Sequence, residues 1–293
     1  MTTQSGGEEQ RPIPFLPENE TEITRQLLQH RYLMKLIGNI VPESLDLSNV
    51  HRVLDVACGV GGWVFDMAWR HPDIQVIGID RSAYFIAEAR KLVEARYMDN
   101  ASFLVQDMHD LEGTQFTPGS FDLIHLSFFA GDVSPREFPP LLQALARLCR
   151  LEGIIMWQEA ELPLTNSLAC ERLGALVLEA LKAAGRNFTP RNSLGITPLM
   201  GYWLRNVGYR IAQSSAYAID VSTGTEANRS FLQQVRVFGH QVRTFLLTTG
   251  VTTEVVFEDV FSQTQKDIQA ETFCGLIFLR TVTGIKQSGD SKV

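Results

Sequence analysis

The apolar positions of this chain change rhythm along its first 160 residues. Short apolar runs alternate with longer stretches in which apolar residues recur every three to four positions. The short runs predict five strands, at 52–57, 74–80, 102–107, 121–127 and 153–159, with helices between them. Strands that alternate with helices in this order form a parallel sheet covered on both faces. The pattern therefore predicts a doubly wound α/β fold.

Further helical stretches flank this region. Residues 21–48 begin with a helical rhythm that Pro42 ends, and apolar stripes at helical spacing lie within 162–200 and 222–270. Asn166 is the predicted N-cap of the first of these stripes. We expect these segments to form a lid over the carboxyl ends of the parallel strands, where open α/β sheets bind ligands.

Two β-rich runs, within 204–221 and 273–284, are expected to close the sheet as an antiparallel pair. The polar ends predict a disordered leader at 1–20 and a tail at 286–293. The chain between them, 21–285, is predicted to be a single domain.

Composition excludes several classes of protein. With 45% hydrophobic and 20% charged residues among 293, the chain is too apolar to be disordered. Its net charge of -7 argues against nucleic acid and anionic lipid surfaces as partners. No uninterrupted apolar run reaches the roughly 18 residues that a membrane span needs. The four cysteines lie far apart without metal-ligand spacing, which favours a reduced, cytoplasmic protein with no metal site.

The first predicted strand runs into a glycine-rich turn and then a helix. Gly59 and Gly61 allow the backbone to turn sharply and approach a ligand closely, and the N–H groups at the helix start favour a polar or anionic group. A nicotinamide-binding turn of the form G-x-G-x-x-G would require a third glycine at position 64, which is Val64. The turn therefore counts against a nicotinamide dinucleotide.

Acidic residues stand at corresponding places of the next strands. Asp80 ends the second strand, at the distance from the turn where a carboxylate accepts both hydroxyls of a ribose. Asp55 lies inside the first strand, Asp107 ends the third, and Phe121 and Asp122 open the fourth. In this order and spacing the sequence resembles the class I S-adenosylmethionine-dependent methyltransferases, over about residues 50 to 160.

The resemblance implies a Rossmann-like fold that binds S-adenosylmethionine and releases S-adenosylhomocysteine. Around the methionine part it places Asp55, Ala57, Gly59 and Gly61. The backbone from His125 to Ser127 would face the sulfonium and the amino group. Ala57 departs from the family, which most often has glycine there, so the chain has less room at this point.

At the nucleoside end the resemblance implies that Asp80 binds the ribose hydroxyls and that Arg81 flanks the adenine. Asp107 would accept from the adenine amino group while Met108 packs on the ring. It further implies that residues 49–161 are the cofactor-binding half, that 21–48 form a helical cap, and that the lid belongs to a small-molecule enzyme.

Two side chains are candidates for contact with the methyl acceptor. His125 lies at the carboxyl end of the fourth strand and is predicted to point to the cleft, as a general base or as a structural part of the cofactor pocket. Glu159 ends the fifth strand, where family members often place acceptor-contacting residues.

The sequence thus predicts methyl transfer to oxygen, nitrogen or carbon of a small, apolar or aromatic molecule. The alternatives are a cyclase or binding protein that holds S-adenosylmethionine without methyl transfer, and an NAD(P)-dependent oxidoreductase. An RNA methyltransferase is disfavoured by the charge. The sequence leaves the oligomeric state and the acceptor open.

Overall fold

The computed structural model of the chain describes residues 18–111, 115–189 and 193–288. Most of the predicted leader, residues 1–17, and most of the predicted tail, residues 289–293, lie outside the described residues. Among the helices described, none has both the length and the apolar character needed to cross a membrane.

A mixed sheet of eight strands forms the centre of the described structure. The strands are β1 Arg52–Val56, β2 Gln75–Asp80, β3 Ala101–Val105, β4 Phe121–Ser127, β5 Cys149–Ala160, β6 Leu164–Thr165, β7 Tyr209–Asp220 and β8 Gly275–Lys286. Strands β3, β2, β1, β4 and β5 are parallel neighbours in that order. The last strand, β8, runs antiparallel to β5, β6 and β7. This confirms the predicted doubly wound, mostly parallel sheet with an antiparallel final strand.

The sheet separates two apolar cores. Leu54, Ile124 and Ile155 are buried on one face, and Val53 and Leu123 on the other. The helices that cover these faces and form the lid are α1 Glu20–Ile37, α2 Gly62–Arg70, α3 Ala83–Arg96, α4 Phe138–Leu148, α5 Leu168–Ala183, α6 Met200–Asn206, α7 Glu226–Thr248 and α8 Glu254–Gln269. Because both faces are covered, the inner strands need apolar side chains at consecutive positions, as the sequence pattern predicts.

The lid has an apolar core of its own, in which α5, α7 and α8 meet. Leu176, Val242 and Phe257 are buried there. The sequence pattern predicts helix within 222–270 but does not separate α7 from α8, between which Gly250 takes a φ of 72°. The lid helices therefore pack on each other as well as on the sheet.

The predicted cap of α5 is wrong by one residue. Ser167 Oγ accepts a hydrogen bond from the Cys170 N–H at 3.0 Å and so caps the helix. The side chain of Asn166 instead accepts from the Cys274 N–H at 2.9 Å and donates to the Thr272 carbonyl at 2.8 Å. Since both of these backbone groups precede β8, Asn166 ties the start of the lid to the sheet.

Candidate functional site

A cavity of about 420 Å³ lies at the carboxyl ends of β1 to β4, between these strand ends and helices α1, α5 and α7. Its volume is in the range of small-molecule and cofactor pockets. Nine of the eleven residues predicted from the sequence line it, namely Asp55, Ala57, Gly59, Asp80, Arg81, Asp107, Met108, His125 and Ser127. Gly61 and Glu159 are not among the described lining residues.

The turn between β1 and α2 is held in the left-handed region of backbone conformation. Ala57, Gly59 and Gly61 have φ of 56°, 55° and 81°. A Cβ atom at Gly59 would lie 2.2 Å from Gln26 Oε1, and one at Gly61 would lie 2.3 Å from Phe103 Cζ. Gly61 is therefore required for the packing of the start of α2 against Phe103, and its contact with the methionine part stays a prediction.

Asp80 is fixed by backbone donors at the end of β2. Its Oδ2 accepts from the Gly59 N–H and its Oδ1 from the Ser82 N–H, both at 2.9 Å. Burial raises the pKa of this carboxyl, and the two hydrogen bonds oppose that effect. Because each carboxylate oxygen can accept two hydrogen bonds, one position on each oxygen stays available for a ligand.

A second acid, Asp107, follows β3. His109 donates to it twice, from Nδ1 at 2.8 Å and from the backbone N–H at 2.8 Å. Chiefly through the side-chain bond from His109, the pKa of Asp107 falls to about 2. Met108, which is mostly buried, forms part of the same wall, and Arg81 pairs with Asp132 at 3.0 Å. This end of the cavity therefore presents an ionised carboxylate beside an apolar side chain.

The structure brings Asp55 and His125 together as a buried pair. The two residues lie opposite each other on the neighbouring strands β1 and β4. His125 Nδ1 lies 2.7 Å from Asp55 Oδ1, and both residues are 2% exposed. Trp63 stacks on the imidazole, with the ring centroids 4.0 Å apart and the planes 11° from parallel. The orientation of the His125 ring is thus fixed by a hydrogen bond at its edge and by a ring on its face.

Glu159 does not reach the cavity, which corrects its predicted contact with the acceptor. Its carboxylate accepts from the Phe129 N–H and from Trp157 Nε1, each at 3.2 Å. Burial raises the pKa of this carboxyl to about 8. Its neighbour Gln158 lines the cavity instead, because successive side chains of a strand point to opposite faces. Glu159 therefore holds the loop that follows β4.

Sequence reasoning predicted a helical cap within 21–48 but did not identify the polar residues of α1 that line the cavity. Glu22, Gln26 and His30 line the cavity, and Gln26 Oε1 accepts from the Val60 N–H of the glycine-rich turn at 3.1 Å. These polar residues recur every three or four positions on a face that continues into Leu33, which also lines the cavity. In the sequence, polar residues at helical spacing share this helix face with apolar ones. That mixture was the available sign that this face of α1 packs against the rest of the protein.

A set of side chains that we call the latch joins α1 to α7. It consists of Glu22, Arg25, Gln26, Gln234 and Gln241. Glu22 is 1% exposed and accepts from Arg25 at 2.6 and 2.7 Å, from Gln26 at 2.9 Å and from Gln241. Arg25 also donates to Gln234 at 2.9 Å. The latch places a fully hydrogen-bonded carboxylate in the roof of the cavity.

Comparison with known families indicates what kind of domain carries this site. A family profile described as a methyltransferase domain matches residues 53–153, which contain the glycine-rich turn and both acids that follow it. This segment, less than half of the chain, is thus similar to a methyltransferase domain. The parts of the chain that lie outside the matched segment include α1 and all the lid helices after β5.

Curated relatives match about half of this chain or less. The secondary metabolism regulator laeA of Coprinopsis cinerea is 27% identical over 50% of this chain and 35% of its own. Methyltransferase str3 of Strobilurus tenacellus is 29% identical over 41% of this chain and 39% of its own. The matched segment is thus well under half the length of each relative.

A solved structure extends the likeness in fold to most of the chain. The phosphoethanolamine N-methyltransferase 2 of Haemonchus contortus, in complex with phosphomonomethylethanolamine and S-adenosylhomocysteine, superposes with a TM-score of 0.52 at 13% identity. The superposition covers 88% of this chain and 53% of that protein. The shared feature is the fold of the sheet and its helices.

Proposed function

We propose that this chain transfers the methyl group of S-adenosylmethionine to oxygen, nitrogen or carbon of a small molecule. The observation that carries the proposal is the row of acids around one cavity, at three adjacent strands of the sheet: Asp55 in β1, Asp80 at the end of β2 and Asp107 just after β3. The cofactor presents a cationic sulfur, an amino group, ribose hydroxyls and an adenine amino group, all of which carboxylates bind. The relative from Strobilurus tenacellus, which is named a methyltransferase, supports the same activity.

The lining residues fit the cofactor from end to end. The two open positions on Asp80 suit the ribose hydroxyls, while Asp107 and Met108 suit the amino group and the ring face of adenine. Residues for the methionine part are Asp55, Ala57, Gly59 and the backbone near Ser127, with Arg81 beside the adenine. When bound, S-adenosylmethionine supplies a methyl group already activated on a cationic sulfur.

The chain itself then has to hold the acceptor in line and manage its proton. With Asp55 accepting from Nδ1–H, neutral His125 carries its lone pair on Nε2. This arrangement suits His125 to take the proton of an acceptor hydroxyl. Its second candidate role is to form part of the wall of the cofactor pocket. That role requires the imidazole ring in place but no proton transfer, and a substitution described in the Discussion separates the two roles.

The lid side of the cavity supports a small apolar or aromatic acceptor. Its described lining there is mainly apolar: Leu162, Val177, Leu181, Leu194 and Phe238. The net charge of -7 argues against RNA, because a polyanion requires a basic surface. We therefore propose a small-molecule acceptor, with neither nucleic acid nor a membrane as partner.

Calorimetry tests the cofactor assignment. S-adenosylhomocysteine is expected to bind and NADH is not. Asp80→Ala should weaken the binding of S-adenosylhomocysteine by about tenfold or more, equivalent to about 1.4 kcal/mol. Asp73→Ala is the matched control, since Asp73 is exposed in the turn before β2. Tight binding of NADH without binding of S-adenosylhomocysteine would favour the oxidoreductase.

Turnover separates a transferase from a cyclase or a binding protein. The assay measures the accumulation of S-adenosylhomocysteine with a panel of small phenols, amines and carboxylic acids, and with total RNA as a separate arm. We expect accumulation with a small molecule. Binding of the cofactor without accumulation in any arm would favour the non-transferring alternative, and turnover with RNA alone would contradict the proposed acceptor class.

A further inference from the structure

A second cavity, of about 480 Å³, lies beside the first on a face of the sheet that α1 and the segment after it cover. Its floor is formed by β4, β5, β7 and β8, through residues that include Met156, Gln213 and Thr281. Its roof consists of the end of α1 and residues 39–44. This space is large enough for a ring-containing small molecule.

The two cavities adjoin at His125. Four side chains line both: Met34, Trp63, His125 and Gln158. A molecule in the second cavity therefore contacts side chains that also line the cofactor site. Among these shared side chains the imidazole of His125 is held by Asp55 and Trp63, and its Nε2 makes no hydrogen bond to any described residue.

The described lining of the second cavity combines apolar residues with uncharged polar ones. Ile37, Ile40 and Met156 provide apolar surface. Gln158 Nε2 donates to Thr281 Oγ1 at 3.0 Å, and both residues are more than nine-tenths buried. The side-chain oxygen of Gln158 makes no hydrogen bond to a described residue and can accept from a hydroxyl.

Charged side chains are scarce around this space. Among the described residues that line it, Glu43 carries the only carboxylate, at an exposed position, and no lysine or arginine is present. A ligand with a carboxylate or phosphate would lose its hydration without gaining a cationic partner. An uncharged ring that bears a hydroxyl would match both the apolar surface and the amide oxygen.

We propose that the second cavity is the acceptor site and that the acceptor is an uncharged aromatic molecule with a hydroxyl group directed at His125 and Gln158. The proposal rests on the proposed function, since it assigns the space next to the cofactor. It places the acceptor on the sheet face beneath α1, and the test below distinguishes this position from the apolar lid side of the first cavity.

The test uses 1-naphthol as the probe, titrated calorimetrically into the full chain loaded with S-adenosylhomocysteine. Gln213→Trp fills the second cavity from a position that does not line the first, and Leu162→Trp is the matched control in the first cavity. Because tryptophan fills the site, Gln213→Trp should weaken the binding of 1-naphthol about tenfold or more. Leu162→Trp should change the affinity for 1-naphthol by less than about twofold. Gln213→Trp should bind S-adenosylhomocysteine like the parent, which also shows that it folds.

A second probe, 1-naphthoate, keeps the rings and replaces the hydroxyl by a carboxylate. We expect it to bind the parent chain at least about tenfold more weakly than 1-naphthol. Three results would overturn the inference and leave the proposed function intact. They are equal affinity of the two probes, no binding of 1-naphthol at millimolar concentration, and a loss of 1-naphthol binding in Leu162→Trp alone. Failure of S-adenosylhomocysteine to bind the parent overturns the proposed function itself.

Discussion

Two carboxylates on opposite sides of the first cavity are held by different kinds of hydrogen bond. On the sheet side, Asp80 accepts from the backbone N–H groups of Gly59 and Ser82 at 2.9 Å. On the lid side, Glu22 accepts from the side chains of Arg25 and Gln241 in the latch. Each of these contacts of Glu22 needs two particular residues, whereas each of these contacts of Asp80 needs one residue and the fold.

This difference bears on which contacts a single substitution can remove. Backbone donors stay where the fold places them, so at Asp80 one carboxylate is enough to form its part of the proposed cofactor site. A single substitution removes a contact between side chains and alters the roof of the cavity without disturbing the sheet. We therefore expect the sheet side to determine whether the cofactor binds, and the lid side to determine how firmly the cavity is closed.

The largest effect is expected on the sheet side, from His125→Gln. Glutamine can still donate to Asp55 but cannot take a proton, so kcat with a hydroxyl acceptor should fall by about 10²–10⁴. The affinity for S-adenosylhomocysteine should change only a few-fold. Steady-state rates and calorimetry measure the two quantities.

His240→Gln is the control for this prediction, because His240 is an exposed histidine on α7. It should leave kcat unchanged. Parallel losses of kcat and cofactor affinity in His125→Gln would assign His125 to the wall of the cofactor pocket instead of to proton transfer.

The next largest effect concerns stability and comes from Glu159. Its pKa of about 8 in the folded chain lies above the ordinary value of 4.5, so the folded state holds the proton more tightly. The stabilisation by this proton is complete below about pH 4.5 and is lost as the pH rises through 8. We expect the free energy of unfolding to fall by about 2–4 kcal/mol over this range, as measured by denaturant titration.

Glu159→Gln should flatten this pH dependence, since glutamine does not titrate. Glu94→Gln, an exposed position on α3, should leave it unchanged. The same slope in the parent and in Glu159→Gln would mean that Glu159 is ionised in the folded chain at neutral pH.

The sequence pattern predicts the strands of the sheet better than it predicts the helices of the lid. The five parallel strands are predictable because each is a short apolar run between amphipathic stretches. The division of α7 from α8 is not, because Phe245 before the break and Phe257 after it belong to the same apolar core and the break itself is short. The two-residue strand β6 is too short to leave a pattern.

The sequence predicts those residues of the candidate site that stand at the ends of strands. Asp80 ends β2 and Asp107 follows β3, and the carboxyl ends of adjacent parallel strands necessarily meet at one edge of a sheet. The pairing of Asp55 with His125 depends on β1 lying next to β4 in a particular register, which the local pattern does not determine. Glu159 was misplaced because a shift of one residue along a strand reverses the face to which a side chain points.

A smaller effect is expected on the lid side, from Gln241→Leu in the latch. Buried Glu22 loses one donor, which costs about 1–2 kcal/mol locally. Hydrogen exchange in α1 should accelerate about tenfold while the amides of β1 and β4 keep their protection. Gln233→Leu, at an exposed position of α7, is the control. Equal acceleration in α1 and β1 would mean that the lid does not open independently of the sheet.

The smallest effect tests the backbone of the sheet side at Ala57. With φ of 56°, this alanine carries a left-handed strain of about 1–2 kcal/mol that glycine would not have. Glycine also loses about 0.4–1 kcal/mol through the greater freedom of the unfolded chain. Ala57→Gly should therefore raise the free energy of unfolding by about 0.5 kcal/mol, whereas Ala144→Gly in α4 should lower it by about 1 kcal/mol. If denaturant titration finds that both variants lose stability equally, the turn does not hold position 57 in the left-handed region, and the sheet side is less rigid than its backbone hydrogen bonds imply.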